Sequence, residues 1–302
     1  MENKTKISGP ADRQFIIILV VTLIASMLPE IIWREWAGLV PAGLPFFRLT
    51  ALLFAGILSY VLKLSKIVKF IAVLGIIVLA EILTKLIYSS SFWQEAFDNA
   101  TFVGNFGGSI LLKLIGVLPV VGILLVLFKS PKAVYLVKGD LSIKADGIKW
   151  LGIKQDTINW GKLAVISAVL ISLGTILLTV VTVTGSSAIY HASNLVKYFP
   201  FVILFALINS LCEGIVFRNA VLGSLRNVLP KNQAIRMAAL IFGIGHFYGA
   251  PRGIVGVVMS TLLGWYMSRS MVETKGFAAS WIIHFLQDVV IFSTILLLGN
   301  YQ

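Results

Sequence analysis

The sequence predicts an all-α polytopic membrane protein, a bundle of about eight or nine transmembrane helices, from three observations. Hydrophobic residues make up 58% of the 302 residues and mean hydropathy is +0.94. Charged residues fall to 13%, against about 25% in soluble domains. Apolar runs of about 20 residues, long enough to cross a ~30 Å hydrocarbon core, recur along the whole chain.

The elements follow in order. The polar start MENKTKISGPADR leads into an apolar run from Phe15 through Trp33 with no small-residue cleavage site, which argues for a retained span over a cleaved signal peptide. Spans are read near 14–34, 44–63, 67–87, 108–128, 163–184, 198–222, 235–248, 252–270 and 277–298. The seventh is short enough to tilt or re-enter, hence eight or nine. Residues 1–129 form an N-terminal four-helix membrane region, 130–162 a polar cytoplasmic loop, and 163–302 a C-terminal membrane region. Within the loop, Gly139-Asp140 and Asp146-Gly147 are turn signals for a small hairpin or interfacial segment, with Trp150 and Trp160 expected at headgroup level.

The basic residues supply an independent topology. With a cytoplasmic N-terminus, the inner segments hold 18 of the 25 Lys and Arg residues, the outer segments hold Arg34, Lys197 and Arg252, and the spans hold Arg48, Lys85, Lys113 and Arg218. That bias fits the positive-inside rule. It accounts for the +12 net charge without nucleic acid as a partner; the expected partners at this point are membrane lipids. The expected location is a cell membrane, with the N-terminus in the cytoplasm. The lone Cys212 excludes an internal disulfide and reads as a packing residue.

Ionisable groups inside spans are costly unless paired or functional. Arg48 and Lys113 lie near outer span ends and read as snorkelling side chains. Glu81 and Lys85, four apart on one face, read as a structural pair, and His191 as a loop histidine. Three other segments carry chemistry: Glu213…Arg218 in LCEGIVFRN, His246 in IFGIGHFYG, and His284…Asp288 in WIIHFLQDV. At ~1.5 Å per residue, Glu213, His246 and His284 lie about 14, 16 and 10–12 Å from their inner span ends. One shared depth, nearer the cytoplasmic face, favours one site opening toward the cytoplasm.

The residue types suit hydrolysis. His284 and Asp288 are four apart, so the carboxylate can fix the ring's tautomer. His246 sits among Gly243, Gly245 and Gly249, where backbone approaches closely. Glu213 has no cation on its own helical face, as suits a general base, and Arg218 lies about 140° around the helix from it. Asn209, one turn before Glu213, can bond to it or to substrate. Zinc held by Glu213, His246 and His284 is the alternative chemistry, although no HExxH is present.

EGIVFRN, FGIGH and HFLQD together resemble the signature of the CPBP (CAAX protease and bacteriocin-processing, Abi) family of intramembrane proteases: EExxxR, FxxxH and HxxxN or HxxxD. The resemblance covers roughly residues 160–300. It implies that Glu213 and His246 activate water, that His284 and Asp288 stabilise or orient the tetrahedral intermediate, and that Arg218 supports the site. The metal-independent chemistry is the one it favours, and it implies a membrane-associated peptide or protein as substrate and a bacterial cell membrane as the location. The second motif carboxylate is Gly214 here. This departure keeps a second function in view, a non-catalytic bacteriocin-immunity or membrane interaction protein with a relic site.

Overall fold

The computed structural model describes residues 10–97, 101–182, 192–249 and 251–298. It is all helical, with no strand among the described residues. The helices are α1 (Pro10–Ala25), α2 (Leu28–Ala37), α3 (Leu44–Val61), α4 (Ser65–Tyr88), α5 (Ser91–Phe97), α6 (Gly107–Phe128, continuing a π-turn over Phe102–Phe106), α7 (Trp160–Thr182), α8 (Ala192–Gly214), α9 (Ala220–Leu225), α10 (Lys231–Gly245), α11 (Ile254–Thr274) and α12 (Ala278–Leu298). A second π-turn, Ile215–Asn219, joins α8 to α9 in one continuous rod.

Six of these helical stretches are long and apolar enough to cross a membrane, and a seventh results if the first bent pair counts as one span. The protein is therefore an integral membrane protein, and the expected eight or nine spans is an approximate count. Two expected spans differ. α10 has 15 residues, about 22 Å at 1.5 Å per residue, which is short of the core thickness. α11 is long enough but carries Ser268, Ser270 and Thr274, all fully buried against protein.

The first expected span is broken. Gln14–Ala25 and Leu28–Ala37 meet at 55°, and Pro29 supplies the reason, since it has no N–H to close the helix onto Ala25. The Leu28 amide bonds to Ser26 Oγ at 3.2 Å instead of continuing the ladder. Two carbonyls are left over, and Arg48 takes both: Nε donates to Ile24 O at 3.2 Å and Nη2 to Ala25 O at 2.5 Å. The same guanidinium pairs with Glu30 (3.3 Å) and Glu81 (3.0 Å), and Lys85 joins both carboxylates at 2.7 Å. Arg48 is 1% exposed, so the snorkelling expectation is corrected. Unsatisfied backbone inside the bundle holds it there. Glu81 and Lys85 do pair, within this larger network.

The basic end is closed by residues 131–160. Asp140 N donates to Thr274 O (2.8 Å), Phe277 N to Val137 O (2.9 Å), and Asn219 Nδ2 to Val134 O (2.9 Å). Glu273 accepts from Asp146 N at 3.0 Å and from the Trp160 indole at 2.7 Å, and pairs with Arg269 at 2.7 Å. Trp150 is exposed, and Trp160, the first residue of α7, is fully buried against protein, where its N–H finds this carboxylate. Single bridges pair Lys144 with Asn159 and Ile148 with Ile153, so the chain doubles back around Gly147–Gly152. Gly139 lies instead against Gly276. His191 falls outside the described residues.

Candidate active site

Three helices bring the reactive side chains together. Glu213 ends α8, His246 follows the last residue of α10, and His284 and Asp288 lie on α12. α8 and α12 pack along their lengths, as do α10 and α11. Gly243 permits the second contact, because a Cβ there would run into Thr261 and the Val257 carbonyl. Its role is helix approach rather than room for a substrate.

Glu213 Oε2 lies 3.8 Å from His246 Nε2 and 3.5 Å from His284 Nε2, and Asp288 Oδ1 lies 3.5 Å from His284 Nε2. The Asp288–His284 contact is an ion-pair distance, longer than a good hydrogen bond. Asp288 Oδ2 accepts instead from Asn209 Nδ2 at 3.0 Å. His284 and Asp288 are buried.

Each ring's tautomer follows from its partner. Arg218 Nη2 lies 2.8 Å from His284 Nδ1. A guanidinium only donates, so Nδ1 accepts and the neutral ring carries its proton on Nε2. His246 Nδ1 lies 2.7 Å from the Phe242 carbonyl, which only accepts. That nitrogen therefore donates, and His246 Nε2 keeps its lone pair. Two imidazoles thus face one carboxylate with opposite functions: His246 presents an acceptor and His284 a donor.

Arg218 reaches this position through the π-turn. On an ideal α-helix Glu213 and Arg218 diverge by about 140°, but the i→i+5 geometry of Ile215–Asn219 brings the fifth residue back toward the same side. The guanidinium is 1% exposed and lies 5.1 Å over the Phe242 ring, a cation–π contact. The same ring stands 4.3 Å from His246 and 5.6 Å, edge-on, from His284. Phe242, the first residue of FGIGH, therefore packs on three site residues. Gly214 leaves Arg218 its room, since a Cβ there would stand 3.2 Å from Nη2.

Sequence reasoning missed Lys113. Its Nζ lies 2.6 Å from Glu213 Oε1 and 2.5 Å from Asn209 Oδ1, so it does not snorkel outward. The sequence predicts no cation on Glu213's own helical face, but the π-turn brings Arg218 back to that side and α6 supplies Lys113. Asn209 links Lys113 to Asp288 and does not bond Glu213. The available signal was reciprocal: a lone Lys and a lone Glu, both within spans, predict each other.

Glu213 and His246 line a cavity of about 700 Å³. Its walls come from Ala25–Glu30, Arg48, the Ile77–Tyr88 half of α4, the Leu112–Val120 part of α6, Cys212–Phe217 and Ile241–Gly249. On α1, α3, α4 and α10 these positions are remote from the basic ends. On those four helices the cavity lies away from the 131–160 segment, whereas the expectation placed its opening toward the basic face.

An all-α membrane bundle with acid, base and imidazole gathered at an internal cavity defines a membrane protein built around an intramembrane polar site. Residues 195–290 match the family model described as type II CAAX prenyl endopeptidase Rce1-like. Residues 195–290 thus match an Rce1-like domain, in keeping with the family the three motifs resemble, and a domain of that family is of membrane-protease kind. No curated protein and no solved structure matches the chain.

Proposed function

We propose that the protein is an intramembrane endopeptidase that hydrolyses peptide bonds of membrane-associated substrates with water activated by Glu213 and His246. The observation that carries this reading is the opposed tautomers of the two imidazoles around Glu213. Glu213 Oε2 and His246 Nε2 are both acceptors 3.8 Å apart, so one water at about 2.8 Å from each can donate to both. Glu213 takes a proton as the water oxygen attacks the carbonyl carbon. The Nε2–H of His284 donates to the oxygen on which negative charge develops. As the C–N bond breaks, the proton held by Glu213 passes to the leaving nitrogen.

Arg218 holds His284 in its donor tautomer, and Asp288 flanks the same Nε2–H. Lys113 and Arg218 balance Glu213 and Asp288, two cations against two carboxylates, which offsets the cost of burying charge. Residues 163–302 carry the reacting groups, while 1–129 supplies Lys113 and much of the cavity wall.

The donor set does not suit zinc. Among the described residues no group of three His, Cys, Asp or Glu side chains is disposed to hold a metal ion. An ammonium already occupies Glu213 Oε1, and the His284 nitrogen facing the site carries a proton where a ligand needs a lone pair. Purified protein assayed on membrane-associated peptides after exhaustive chelation, with metal content measured on the same sample, tests both statements. Cleavage that persists in metal-free protein supports the reading. Cleavage lost on chelation and restored by zinc supports metal chemistry, and absence of cleavage on a broad peptide panel supports the non-catalytic reading that Gly214 keeps in view.

A further inference from the structure

We propose that the cavity at Glu213 opens on the extracytoplasmic side of the membrane, so that the protein acts on peptide segments presented from that side. The proposal rests on the peptidase reading for what the cavity does, but its geometry stands apart from it.

Two features of the fold carry it. The basic end is shut: residues 131–160 run across the ends of α9, α11 and α12, and backbone bonds from Asp140 to Thr274 and from Phe277 to Val137 tie them down. The cavity lies at the other end. Its wall takes the last residues of α4, through half-exposed Lys85 and exposed Tyr88, and the Tyr248–Gly249 turn after α10. A peptide reaching Glu213 through this cavity enters from the end that the closing segment does not cover.

The charge distribution assigns the two ends to compartments. The closed end carries most of the Lys and Arg residues, while the segments at the cavity end contribute Arg34, Lys197 and Arg252. Under the positive-inside rule the closed end is cytoplasmic. The chemistry of the mouth also restricts the occupant. Glu30, Arg48, Glu81 and Lys85 neutralise one another, and the rest of the wall is mostly apolar. Such a mouth fits an extended, largely apolar and uncharged segment, as found where a membrane anchor meets an exported chain.

Thiol accessibility in intact cells tests this with the full chain. Thr84 lines the cavity and bonds only to backbone carbonyls of its own helix, so Thr84→Cys is a mild probe. Lys154→Cys marks the opposite face, and the wild type, whose Cys212 is 2% exposed, sets the background. A membrane-impermeant methanethiosulfonate should react with Thr84→Cys about tenfold or more faster than with Lys154→Cys in intact cells, with the order reversed in inverted vesicles. The opposite order overturns the proposal. Should Thr84→Cys fail to insert, Tyr88→Cys takes its place. Labelling does not depend on catalysis, so an inactive protein with the expected pattern removes the peptidase reading and leaves the orientation standing. In the purified protein, full modification of Thr84→Cys should lower peptide cleavage by about tenfold. Undiminished cleavage would show that substrate enters elsewhere, and overturns the proposal.

Discussion

Lys113 Nζ stands 2.6 Å from Glu213 Oε1, joining α6 to the helix that carries the acid. The pair ties a residue outside the matched 195–290 segment to the centre of the site. Breaking it leaves a carboxylate inside the bundle without its cation. Lys113→Met is expected to lower turnover by about tenfold or more. Combined with Glu213→Gln it should cost far less than the sum of the two, since contacting residues are not additive. Steady-state cleavage rates of the two single variants and the double variant check this.

Arg218 acts on His284 through one hydrogen bond and on Phe242 through its flat face. Lysine offers neither the planar fork nor the same stacking. Arg218→Lys is therefore expected to behave nearly like Arg218→Ala, with kcat falling by about a hundredfold and KM changing little, because tautomer control matters most in the transition state. Recovery of wild-type kcat by lysine would show that charge alone is needed.

Gly214→Ala introduces a Cβ 3.2 Å from the Arg218 nitrogen that holds His284. The guanidinium must shift by a few tenths of an ångström. The expected result is a several-fold loss of kcat with unchanged membrane insertion, measured as cleavage rate per inserted protein.

How much of this was legible in the sequence differs by residue. Glu213, His246 and His284 were found because each is an ionisable side chain in a span, and helical rise alone placed them at a common depth. The roles of Arg218 and Asp288 were less readable. A π-turn is invisible to a 100° periodicity, which places Arg218 away from Glu213, and the i, i+4 spacing predicts an Asp288–His284 bond where the closest hydrogen bond of Asp288 is to Asn209. Lys113 and Arg48 were read as snorkelling because sequence gives distance from a span end but not what a neighbouring helix offers. Arg48 answers to two carbonyls freed by Pro29, a need created only once the helix breaks. The helix ends that the 131–160 segment covers are not readable either, because its tertiary hydrogen bonds leave no local pattern.

Arg48 tests that account separately from catalysis. Arg48→Met leaves Glu30 and Glu81 with one cation and two carbonyls unpaired. Breaking a buried ion network costs about 3–5 kcal/mol, so the detergent-solubilised variant should unfold at a clearly lower temperature than wild type. A variant as stable as wild type would mean that the α1–α2 break is satisfied by other means.

The central claim is that Glu213 activates the attacking water, and Glu213→Gln tests it most directly. The amide keeps size and hydrogen-bonding capacity but cannot take a proton. Turnover of a membrane-associated peptide by the purified variant, inserted and folded as wild type, should fall by at least about a hundredfold. Turnover equal to wild type would contradict the account and remove Glu213 from the mechanism.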